Sequence, residues 1–325
     1  MKKVLTPVVI ACLAMPLAAQ AEKSSSYLPQ FSADDLNIDG SNDIILVEAP
    51  TQKQPGRKGP PRTNFVSGIE YTETIYENQP KITNIVKILA DGSTKFHKNW
   101  RLRYVLSQAD AEKGIDQSEQ PGRLNLVVAP RFEKWVSPRF SYFIEGIYKN
   151  SVEGRGWEKD EFVFKPGGSI NLGRHFFNVV AEYQYKETSD HEYNKGTAYS
   201  TGFHIEPTYI YRMNPRMNIG LRLVFNEQQD ESQYFNKNVK ALVNYRFNNN
   251  IRTEFNVVVG KSGQAKNDSG HNYTDYNLNT SIPINKTFTG ILNFGYRLGD
   301  QYNPNQWSWG DREGIFTKIA VSTRF

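Results

Sequence analysis

The last residues of the chain alternate strictly. From Ile315 to Phe325 the odd positions read Ile, Thr, Ile, Val, Thr and Phe, while the even positions include Lys318, Ser322 and Arg324. Alternation with period two gives a strand one apolar and one polar face. The same pattern recurs upstream. Phe288, Gly290, Leu292, Phe294, Tyr296 and Leu298 share one face, with Arg297 on the other. Val239, Ala241, Val243, Tyr245 and Phe247 are interleaved with Asn238, Lys240, Asn244 and Arg246. Ile251 to Val259 and Met217 to Phe225 repeat it.

Collected along the chain, these segments predict strands at 64–77, 82–91, 96–109, 123–136, 140–152, 160–173 and 175–188. The second half adds 197–213, 217–229, 234–248, 251–263, 271–285, 288–301 and 314–325. Short connections fall at Asp91–Thr94, Val136–Arg139, Gly173–Arg174, Asn214–Arg216, Asn248–Asn250 and Asn285–Thr287. Longer polar ones lie between them, at 108–122, 189–196, 262–270 and 301–313. An even number of alternating strands, joined by short and long loops in turn, predicts an all-β fold: a transmembrane antiparallel up-and-down β-barrel of about 14 strands. With both chain ends on the periplasmic side, the long loops face outward. About eight strands is the size at which wall side chains fill a barrel, so one this wide is expected to keep a lumen.

The N-terminus changes the picture by fixing the compartment. Lys2 and Lys3 precede an apolar run from Val4 to Leu17, followed by Ala19-Gln20-Ala21. That is the layout of a secretory signal peptide over 1–21. Residues 22–62 form an N-terminal periplasmic extension rich in Ser, Asp, Gln and Pro, read as disordered, and 63–325 the barrel. The single cysteine, Cys12, lies in the signal, which excludes disulfides and thiolate metal sites from the mature chain. Mean hydropathy of −0.60 with 13% aromatics suits strands that show lipid one face and water the other. The expected location is the bacterial outer membrane.

Side-chain parity then assigns an inner surface. Lys87, Arg101, Arg103, Arg131, Lys149, Lys165, Lys186, Arg212, Arg222, Lys240, Arg246, Arg252, Arg297, Lys318 and Arg324 face inward, as do Glu70, Glu133, Glu145, Glu161, Glu182, Glu206, Glu254 and Asp275. That is fifteen cations against eight anions, an excess of seven. Such a channel concentrates anions, and arginine can hold a carboxylate through two hydrogen bonds. The nominated solute path is Arg101, Arg103, Arg131, Arg212, Arg222, Lys240, Arg246, Arg252, Arg297, Lys318 and Arg324. Inward aromatics are expected at Trp135 and Phe143.

The signal peptide, the Arg- and Lys-rich lumen, the cysteine-free mature chain, strands such as Lys240-Ala-Leu-Val-Asn-Tyr-Arg-Phe247 and the terminal Thr-Arg-Phe resemble the monomeric oligosaccharide porins. In character the chain is similar to the oligogalacturonate-specific and sialic-acid porins, which take acidic sugars. In strand count it is more like outer-membrane porin G or the cyclodextrin porin. The resemblance implies passive uptake of oligosaccharides, anionic ones first and neutral or cyclic ones as the alternative. It also implies a monomer set in lipid and lipopolysaccharide, with Phe325 read by the barrel-assembly machinery.

Other chemistry is weakly signalled. Asp35 to Asp43 follows much of a calcium-loop pattern but has Leu46 where a bidentate Glu is required, so an Asx-rich turn is expected and no metal. Gly260-Lys261-Ser262 lacks the upstream glycine of a phosphate loop. His204 with Glu206 could pair base and orienter, but no nucleophile is evident beside them, so no catalytic residue and no cofactor are expected. Basic residues spread round a lumen rather than along a stripe argue against nucleic acid. An outer-membrane enzyme or adhesin is the remaining alternative.

Overall fold

A computed structural model describes residues 62–76, 79–111, 123–153, 157–190, 196–229, 233–267, 269–302 and 311–324. The signal sequence, the extension with its Asp35–Asp43 turn, much of the predicted long loops and Phe325 lie outside them. Fourteen strands close into one barrel. They are β1 Arg62–Tyr76, β2 Gln79–Lys95, β3 Trp100–Ala111, β4 Arg123–Trp135, β5 Phe140–Glu153, β6 Trp157–Leu172 and β7 His175–Asp190. The rest are β8 Gly196–Asn214, β9 Met217–Gln229, β10 Tyr234–Arg246, β11 Arg252–Gln264, β12 Ser269–Pro283, β13 Phe288–Tyr302 and β14 Arg312–Arg324. Each pairs antiparallel with its sequence neighbours. β1 closes on β14, Glu70 facing Lys318. Closure leaves no strand edge to be satisfied in hydrocarbon.

Burial alternates as the sequence pattern requires. Along β10 the even residues Asn236 to Asn244 are buried and the odd ones between them exposed. The exposed set is largely apolar: Val259, Phe164, Phe294 and Leu106 stand among the outward residues and would be covered by lipid. Some outward aromatics lie near the strand ends, the usual place for girdle residues, while Phe164, Tyr276 and Phe294 lie mid-strand. At the short-turn end, ring centroids lie 5.2 Å apart for Trp100–Phe132, 4.9 Å for Phe177–Tyr209 and 4.8 Å for Tyr245–Phe247. Tyr148–Phe162, at 5.1 Å, lies toward the opposite end.

The short turns carry their own chemistry. Gly173 sits at φ 72° in the two-residue hairpin between β6 and β7, the left-handed region that glycine enters at little cost. Asn285 Oδ1 accepts from the amides of Thr287 (2.8 Å) and Phe288 (2.9 Å), folding the β12–β13 turn. Two predicted boundaries are corrected. The Asp91–Thr94 turn is strand, paired through to Lys95, and the chain reverses at 96–99 instead. The 262–270 loop is mostly strand with a single 3₁₀ turn, Ala265–Asn267, between β11 and β12.

Candidate functional site: the inner wall of the barrel

Antiparallel register sets inward residues of adjacent strands side by side, roughly 4.8 Å apart. Followed from strand to strand, they form rows. One row runs His271, Ser262, Asn236, Asn226, His204 and Glu182, each the direct partner of the next. It continues through the Lys165–Glu182 ion pair at 2.8 Å to Glu145, Arg131 and Arg101. A second row runs Lys87, Glu70, Lys318, Asn293, Asn279, Glu254, Asn244, Asn218 and Arg212. Because the strands of a barrel tilt against its axis, both rows slant down the wall. The first reaches the short-turn end of β3, the second that of β8.

The nominated cations fall into two groups. Those of the first group meet carboxylates. Arg297 donates Nε and Nη2 to the two oxygens of Asp275, each at 2.6 Å. Lys318 donates to Glu70 at 2.7 Å, and Lys87 lies 3.5 Å from the same carboxylate. Arg222 sits 3.3 Å from Glu206 and Lys240 3.4 Å from Glu254, both cations fully buried. Arg103 pairs with Asp91 at 3.2 Å. Arg131 pairs with Glu133 at 3.3 Å and places its guanidinium 3.7 Å over the Phe143 ring.

The second group lies at the strand feet beside the short turns. Arg101 stands opposite Arg131. Arg212 donates to the Gly173 carbonyl at 3.4 Å. Arg246, opposite Arg252, donates to Asn250 Oδ1 at 2.6 Å. Arg324 pairs its backbone with Asn64, and its side chain lies outside the described residues. Arg101, Arg212, Arg246 and Arg252 thus mark the feet, whereas the cations above them, arginines among them, pair with carboxylates.

Several inward residues escaped the sequence reading. Asp91 was hidden by the turn-like Asp-Gly-Ser, and Lys159, 3.6 Å from Glu161, fell just outside the predicted strand. Phe176, Tyr273 and Phe316 add buried inward aromatics, while Trp135 is exposed at the foot of β4. An apolar patch, Leu89, Val105, Val127, Ala129, Ile147 and Val163, covers the inner face of β2–β6. Opposed to it in character is the amide-rich face of β9–β13, where Asn256 donates to Glu254 at 2.9 Å and Asn277 to Asn256 at 2.9 Å. Tyr273 OH donates to Asn236 Oδ1 at 2.6 Å and accepts from Asn238 at 3.0 Å. His204 Nε2 stands 3.5 Å from Glu206, which also meets Arg222. Among the described residues no three His, Cys, Asp or Glu are placed to hold a metal ion.

No protein-family model and no curated protein matches the chain. Solved structures do. The TodX monoaromatic hydrocarbon channel deltaS2 mutant aligns with TM-score 0.53 and 8% identity over 83% of this chain and 91% of its own. A Pseudomonas aeruginosa FadL homologue aligns at 0.50 and 8%, over 81% and 90%. The KdgM porin in complex with disordered oligogalacturonate aligns at 0.36 and 11%, over 79% and 99%. At these identities the likeness is one of fold. The closed barrel, its apolar outer face and its aromatic girdles make this chain a bacterial outer-membrane β-barrel.

Proposed function

We propose that the chain is a channel for passive uptake of oligosaccharides, acting as a monomer in lipid and lipopolysaccharide. The observation that carries this is the pair of rows. Amide, carboxylate and cationic side chains follow one another at strand spacing from the upper wall to its foot. A row of modest, closely spaced hydrogen-bonding positions lets a solute step along it without being trapped. Mid-wall carboxylates offset most of the inward cations, so a preference for uronate- or sialic-acid-type sugars rests on the arginines at the periplasmic foot. There they would draw a carboxylated chain through. Phe325 supplies the terminal aromatic for the barrel-assembly machinery.

Single-channel recording in a planar bilayer under a salt gradient tests this. Anion-selective current blocked by trigalacturonate is the expected result. Current without block by any sugar would sink the oligosaccharide reading. A second reading has its own support: the apolar patch on β2–β6, on a barrel that shares its fold with the TodX monoaromatic hydrocarbon channel, favours passage of an apolar solute. Toluene uptake into vesicles carrying the protein, with no effect of sugars on current, would select it.

A further inference from the structure

We infer that Asn244, Glu254, Asn279 and Asn293, on β10–β13, form a binding site for the hydroxyl edge of a sugar ring. The inference rests on the channel reading and names what this part of the wall takes. The four are consecutive members of the second row, each the direct partner of the next. Asn279 is 1%, Glu254 2% and Asn244 5% exposed. Yet Asn244 Oδ1, Glu254 Oε2, Asn293 Oδ1 and both polar atoms of Asn279 have no hydrogen-bond partner within the protein. Buried amides are rarely left in that state, because an unpaired polar group keeps its desolvation penalty. Side by side on successive strands, these atoms make a buried strip of unsatisfied hydrogen-bonding capacity.

The chemistry of the strip narrows its occupant. Four oxygens accept and one amide nitrogen donates, so the ligand must bring several O–H or N–H donors. The other oxygen of Glu254 is already engaged, by Asn256 Nδ2 at 2.9 Å and by the Lys240 ammonium at 3.4 Å. A simple cation is disfavoured by Lys240 and by Lys318, which stands opposite Asn293. An anionic group is disfavoured by the accepting oxygens and the carboxylate. Neutral hydroxyls remain. Neighbouring members of the row stand roughly 4.8 Å apart, close to the spacing of equatorial hydroxyls on alternate carbons of a pyranose, so a ring can bridge them. Lys240 and Asn256 beside it are fully buried, so a ring that binds here displaces neighbouring inward side chains to reach the strip.

The test uses the full chain in planar bilayers with maltohexaose, whose lack of charge isolates the hydroxyl contribution. Asn279→Leu, close in shape but without polar atoms, is expected to weaken maltohexaose block about tenfold while open-channel conductance in salt stays near wild type. Asn293→Ala should weaken it severalfold and serves if the leucine variant fails to give the heat-modifiable gel shift of a folded barrel. Equal block in wild type and variants would overturn the inference, as would a wild-type channel that maltohexaose never blocks; both leave the channel reading standing. If wild type carries no current, the channel reading falls. Calorimetric titration of maltohexaose onto the detergent-solubilised protein then decides: binding lost in Asn279→Leu supports the site, and no binding overturns it.

Discussion

The inner faces of β2–β6 and β9–β13 are built to different rules. On β2–β6 an apolar patch is bordered by charges whose partners are shared. Glu161, itself buried, meets Lys149 at 3.1 Å and Lys159 at 3.6 Å, both lysines partly open to solvent. On β9–β13 amides dominate, and charge appears as closely matched, nearly inaccessible pairs such as Lys240 with Glu254. One face tolerates the loss of a charge, and the other is poised to be damaged by it. A lumen can therefore be water-facing throughout its topology and still hold two dielectric environments.

The largest effect expected from this contrast is on stability. Lys240→Ala strands a buried carboxylate and should cost about 3–5 kcal/mol in urea unfolding from lipid vesicles. Lys149→Ala, where Lys159 still serves Glu161, should cost about 1 kcal/mol or less. Equal losses would break the comparison. Next comes the position beside Lys240. Val239 faces lipid, so Val239→Lys should cost about 2–4 kcal/mol near mid-bilayer, although the same side chain one residue on is accommodated. Val127→Asn would extend amide character into the apolar patch. It is expected to add about 1 kcal/mol to sugar block of current and to lower toluene uptake; no change in either would show that the patch takes no part in passage. The smallest effect in energy is Arg103→Ala, whose pair with Asp91 is part-exposed. This leaves Asp91 behind and should move the reversal potential toward cation selectivity, while an unmoved potential would remove Arg103 from the conducting path.

Much of this was legible before any coordinates. Period-two alternation identifies strand and face together, which is why the parity of Arg222, Lys240 and Glu254 could be read directly. It is blind where both faces are apolar. Leu126 and Val127, like Val105 and Leu106, offer no contrast, so the inward patch of β2–β6 stayed hidden. Turn residues mislead when a strand runs through them: Asp91-Gly92-Ser93 has turn chemistry, but its pairing with β1 and β3 overrides that propensity. Reading the lumen for charge alone also passed over the asparagines. Their meaning depends on register, which brings residues from four strands into one strip and which no local window contains.

The slanting rows have a consequence for handedness. Each step to the next strand is also a step down the wall and round the axis, so a row is a thread cut into a cylinder. A molecule that keeps its contacts while following it must turn as it advances, in the sense the strand tilt dictates. A flexible chain can comply by twisting, and one whose own screw matches the thread complies with least distortion. A wall of ordinary L-residues thereby acquires a preferred sense of rotation for what travels along it.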